Sequence, residues 1–218
     1  MSIVRTNLYD STSTENTNNN LYNYLLENAV PEYFDSVTKD EDNNYIVCTV
    51  NGNPFLKLPT GSGRIQIVLG NNVIFEGSTV GNTYGYAYKL AHGILLGAYS
   101  SSYAEYYRSI FTICKDDENN TVVILDKQNF AFSTSPSKCI MAFNSSTTNK
   151  NYPAIYLNSL DLSNIAGKTV LCPIAVGDTQ NYTPNAFYMP YAQNRSEGIL
   201  SIDGVKYYSN GMWCIKDE

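Results

Sequence analysis

Apolar and polar residues alternate along most of this chain with the period of a strand. In RIQIVL (64–69), Ile65, Ile67 and Leu69 fall on one face and Arg64 and Gln66 on the other, the two-residue repeat of a pleated backbone. Turn signals divide such runs into pairs. YIVCTV and NPFLKL flank Asn51-Gly52, and a type I′ turn needs positive φ at both central residues, which Asn and Gly tolerate best. ILSI and VKYY flank Asp203-Gly204 in the same way, and Asn210-Gly211 predicts another turn before MWCIK. RIQIVL-GNN-VIFEG and SIFTIC-KDDENN-TVVIL read as further hairpins, the second with a charged tip. One segment departs from the rule. In LYNYLLENAV, Leu21/Tyr22, Leu25/Leu26 and Ala29/Val30 recur every four residues. That spacing predicts one short amphipathic helix over 20–29, with Asn20 as N-cap and Pro31 as stop.

Hairpins at this density beside a single helix predict a mainly β fold. The expected architecture is an antiparallel β-sandwich or barrel-like body with one short N-terminal helix and a flexible N-terminal arm. Doubly wound α/β is ruled against, because the long amphipathic crossovers are missing. Residues 1–20 are the arm: Ser, Thr and Asn dominate, and so little apolar surface does not offset the entropy of ordering. NSSTTNKN (144–151) reads as a linker or long loop between a β-rich domain over 21–143 and a C-terminal β subdomain over 152–218. The same residues also suit a surface loop of one continuous body.

Composition narrows the function classes. The chain has 218 residues, 43% of them hydrophobic and 13% aromatic, enough to bury a core. Charged residues make up 16%, against a norm of about 25%, and 26 Asn and 19 Tyr fill the deficit. Fourteen Lys and Arg against 20 Asp and Glu give a net charge of −6, with no basic run. Phosphate contacts need clustered cations, so no direct nucleic-acid partner is expected. No stretch approaches the roughly 18 apolar residues of a membrane span. The first residues lack the apolar core of a signal peptide, so none is expected there.

Candidate chemistry is sparse. Cys48, Cys114, Cys139, Cys172 and Cys214 include no C-x-x-C pair, and their odd count and wide gaps fit neither a disulfide framework nor a zinc knuckle. Four lie in apolar or strand-like runs, which predicts buried, reduced thiols. His92 is the single histidine, so any Ser-His-Asp or Cys-His arrangement would have to use it. Its setting, KLAHGILLG, is apolar, and no G-x-S-x-G occurs. Gly61-Ser62-Gly63-Arg64 and the segment Gly77 to Gly85 lack the spacings of phosphate-binding loops and read as turns. The clusters Asp40-Glu41-Asp42 and Asp116-Asp117-Glu118 do not follow a calcium-loop pattern. A carboxylate pair for glycoside hydrolysis is conceivable among 20 acids, but nothing selects one. No catalytic, cofactor-binding or metal-binding residue is assigned, no cofactor is expected, and the chain is not expected to be an enzyme.

The tyrosines carry the remaining signal. In YGYAYKL, Tyr84, Tyr86 and Tyr88 alternate with small residues and form one aromatic row in a strand. Gly85 and Ala87 leave the opposite face flat. Tyrosine combines a rigid apolar ring with a hydroxyl, a combination enriched at interfaces. A cross-strand ladder on a solvated sheet, a subunit interface and a sugar-stacking platform all suit the row. The interface candidates are Ile3, Val4, Leu8 and Tyr9 in the arm. Tyr84, Tyr86, Tyr88, Tyr103, Tyr106 and Tyr107 are those of the Tyr-rich segment. Trp213, in the run MWCI, reads as core.

NAFYMPYAQNRSEGILSIDGVKYYSNGMWCIKDE (185–218), with the hairpin FTICKDDENNTVVIL and the Asn/Tyr-rich, His-poor composition, resembles small accessory structural proteins encoded by tailed phages of Gram-positive bacteria. The likeness carries no diagnostic motif and transfers no functional residue. It implies a non-enzymatic virion component of the capsid-decoration, neck, tail or baseplate type. Such a protein is made in the bacterial cytoplasm and assembles in the virion with copies of itself and with other virion proteins. A carbohydrate-binding or receptor-binding β module is the alternative.

Overall fold

The computed structural model describes residues 4–61, 63–69, 71–78, 84–98, 109–125, 130–133, 141–142, 172–176, 181–188, 198–209 and 213–217. In chain order the elements begin with β1 (Val4–Asn7), α1 (Thr14–Asn28), β2 (Ser36–Asp40), β3 (Tyr45–Val50), β4 (Asn53–Pro59), β5 (Arg64–Leu69) and β6 (Asn72–Ser78). Next come β7 (Tyr84–Leu90), β8 (Gly93–Ala98), β9 (Ser109–Lys115), β10 (Thr121–Leu125), β11 (Phe130–Ser133) and β12 (Met141–Ala142). The last are β13 (Cys172–Val176), β14 (Asn181–Tyr188), β15 (Gly198–Ile202), β16 (Val205–Ser209) and β17 (Trp213–Lys216). Three antiparallel sheets result, ordered β2-β3-β4-β5-β6, β13-β14-β17-β16-β15 and β1-β7-β8-β9-β10-β11-β12. The mainly β class with one short helix near the N-terminus is as expected. The described residues fall into two compact units, one within 4–89 and 94–110 and the other within 90–93 and 111–218. The expected linker over 144–151 lies outside the described residues.

Turn chemistry sets the hairpins. Asn51 and Gly52 take φ of 53° and 72°, and Asp203 and Gly204 take 51° and 82°, the two positive values of a type I′ turn. The Asp35 carboxylate accepts the Gly52 amide at 2.8 Å and ties the first turn to the loop before β2. In the β2–β6 sheet the apolar face runs straight across the strands. Ile46 pairs with Leu58, Cys48 with Leu56, and Leu56 with Ile67, all fully buried. β10 is buried at every position, as a continuous apolar run should be between two neighbouring strands. In the first unit the sheets pack in a sandwich-like way: the Tyr84 hydroxyl on β7 donates to the Pro59 carbonyl on β4 at 3.2 Å.

The N-terminal segment corrects the expectation of a flexible arm. β1 pairs antiparallel with β7, and the Leu8 and Tyr9 amides both donate to the Gly85 carbonyl. Leu8 is buried to 1% exposure. α1 begins at Thr14 rather than at residue 20, with Ser13 as N-cap accepting the Asn16 amide. The physical reason is polar packing. Thr17 and Asn18 are buried. The Thr17 hydroxyl accepts the Asp10 amide, Asn18 Nδ2 donates to the Thr60 carbonyl at 2.7 Å, and Asn20 Nδ2 donates to the Leu8 carbonyl at 3.0 Å. Side chains that look solvated in the sequence are the contacts that dock the first half of the helix.

Candidate interaction surfaces

The aromatic row on β7 exists but is largely closed. Tyr84 and Tyr86 are 1% and 2% exposed, while Tyr88 is half-buried. Burial pushes the Tyr84 hydroxyl well above its ordinary pKa, with Cys48 and Tyr45 adding to the effect. The Tyr86 ring rests on Gly97 of β8: a Cβ there would lie 2.1 Å from the ring. The Arg5 guanidinium of β1 sits 4.6 Å from the Tyr86 centroid, and Tyr88 meets the same ring edge-on at 5.4 Å. Tyr84 and Tyr86 are therefore core residues of their own unit, which corrects their placement as interface residues. The cause lies in β1 and β8: a guanidinium from one and a glycine from the other enclose the Tyr86 ring.

The arm candidates divide similarly. Leu8 is core and Tyr9 is half-buried. Val4 stands opposite Lys89 in the β1–β7 register. Ile3, Tyr103, Tyr106 and Tyr107 lie outside the described residues. At the far end of α1, Lys89 Nζ donates to the Asn28 carbonyl at 3.0 Å and to Glu32 at 2.7 Å, and stands 4.9 Å from the Tyr33 ring. A cation at a helix C-terminus offsets the carbonyl end of the helix dipole.

Several other titratable groups serve the architecture. Cys48, Cys114 and Cys214 are buried thiols outside any disulfide. Burial raises the Cys48 thiol strongly and pushes Cys214 up to about 12, away from the thiolate form that reacts. Asp116 is 3% exposed and accepts the amides of Glu118 and Asn120. Asp40 accepts the Asn43 amide. Asp10 accepts the Thr12 hydroxyl and amide and Asn16 Nδ2, and these bonds, the Thr12 hydroxyl foremost, hold its pKa below the usual value. Both acidic clusters thus contribute turn caps. Among the described residues no group of three His, Cys, Asp or Glu side chains is placed to hold a metal ion. His92 is half-buried at the β7–β8 turn.

What the surface does offer lies elsewhere. Three large apolar side chains are exposed among the described residues: Leu26 on α1, Val73 on β6 and Ile199 on β15, the last at 62%. Val73 and Ile199 both belong to outer strands of their sheets. The sequence marks GILSI as a strand but not as an outer one, because edge position follows from the β17-β16-β15 order. Compared with family models, with curated proteins and with solved structures, the chain finds no match.

Proposed function

We propose that this chain is a non-enzymatic structural component of a tailed-phage virion, assembling with copies of itself and with other virion proteins. The observation that carries the reading is where its chemistry-bearing side chains are used. Asp10, Asp35, Asp40 and Asp116 cap turns, Glu32 pairs with Lys89, and the thiols of Cys48, Cys114 and Cys214 are buried. Exposed aliphatic side chains on outer strands supply contact surface instead. The likeness of 185–218 to phage accessory proteins supplies the phage assignment. The contacts assigned to Leu8, Tyr84 and Tyr86 pass to the sheet edges, while Tyr103, Tyr106 and Tyr107 remain candidates. A sugar platform on the β7 row has little to offer, since two of its three rings are buried.

Mass spectrometry of gradient-purified, high-salt-washed virions from the source host tests this reading. The expected result is the chain at a fixed copy number relative to the major capsid protein. Its presence in the soluble lysate alone would contradict the proposal.

A further inference from the structure

We infer that β15 is a self-pairing edge: it joins antiparallel to β15 of a second copy of this chain, across a two-fold axis at Leu200, and merges two five-stranded sheets into one. The inference deepens the virion reading and rests on it for the occupant, because a virion subunit is present in many copies.

Backbone parity gives the first argument. The Asp203-Gly204 turn closes a two-residue hairpin with Ile202 opposite Val205, Leu200 opposite Tyr207 and Gly198 opposite Ser209. The pair flanking such a turn is hydrogen-bonded, and bonded pairs then alternate along the strands. β17 confirms the phase from the other side: the Asp217 amide donates to the Lys206 carbonyl at 2.9 Å, so Lys206 points away from β15. Ile202, Leu200 and Gly198 therefore face β16, and the amides and carbonyls of Ile199 and Ser201 point outward. These two residues lie symmetrically about Leu200. An antiparallel copy centred there sets Ile199 opposite Ser201 of the other copy, twice over. Four hydrogen bonds form and no outward group of the strand is left over.

Side-chain chemistry gives the second. Outer strands normally carry charge, proline or irregularity that blocks further pairing. The three sheets have six outer strands. β1 carries Arg5, β2 carries Lys39 and Asp40, and β6 carries Glu76. β13 has Pro173, with a register shift beside it, and β12 is two residues long. β15, with the sequence GILSI, has no charge and no proline. Ile199 and Ser201, on one face of it, are both exposed. Two such strands meet without like-charge repulsion, and each Ile199 gains cover from the other copy. A two-fold contact of this kind closes on itself.

Sedimentation velocity on the full chain, from about 1 to about 100 μM, reads the outcome directly. The wild type is expected to shift from monomer to dimer with concentration. Ser201→Pro removes one outward amide without touching a bond to β16, and Ile199→Lys places two cations across the joint. Each should weaken the dimer at least about tenfold, with circular dichroism unchanged. Should the proline variant misfold, the lysine variant decides. A wild type that stays monomeric overturns the inference, whatever else covers the edge. Folded variants that dimerise like the wild type also overturn it, since another surface would then be responsible. Neither result removes the chain from purified virions, so the virion reading stands or falls separately.

Discussion

Gly97 and Tyr86 illustrate how much of this fold depends on single positions that hydrophobic periodicity does not rank. The glycine is required because the ring occupies the space of its side chain. Gly97→Ala should therefore destabilise the fold by about 1–3 kcal/mol through overpacking, and an unchanged urea midpoint would contradict that packing. Gly52→Val forces a β-branched residue to a φ of 72°, which should cost roughly 1–3 kcal/mol and lower the melting temperature. The buried thiols predict a pH dependence. Folding raises the pKa of Cys48 and Cys214 from an ordinary value of 9.0, so the unfolded chain loses those protons first. Their contribution is intact below that value and declines as pH rises from there towards the folded pKa. Thermal melts between neutral pH and pH of about 10.5 should show the decline, and Cys48→Val should flatten it.

At the scale of elements, the hairpins were legible and the N-terminus was not. Asn51-Gly52 and Asp203-Gly204 announce their turns because the required φ values select those residue types. β1 and the first half of α1 are held by amide and hydroxyl side chains, and Thr17, Asn18 and Asn20 look the same in a sequence whether solvated or docked. A docked N-terminal segment is not dispensable as a flexible arm would be. Removing residues 2–10 deletes a strand and the buried Leu8, so the melting temperature should fall clearly instead of staying put. Leu8→Ala alone should cost about 2–5 kcal/mol in a chemical denaturation experiment. Ser13→Ala should cost about 1 kcal/mol by loss of the N-cap.

For the whole molecule, the sequence conveyed the mainly β class but misplaced the surface. An alternating tyrosine row reads identically as a solvated ladder or as a buried seam, and Arg5, far from it in the chain, and Gly97, on the next strand, make it the latter around Tyr86. The N-terminal segment and the β7 tyrosines close the subunit, while the inferred pairing of β15 opens it to another copy. Residue-resolved amide hydrogen exchange, run at low and at high protein concentration, tests both halves at once. Amides of the β1–β7 pairing should be protected at every concentration. Those of Ile199 and Ser201 should exchange fast when dilute and slow markedly when concentrated. Fast exchange at Leu8 and across β7, or equal exchange at Ile199 and Ser201 throughout, would contradict it.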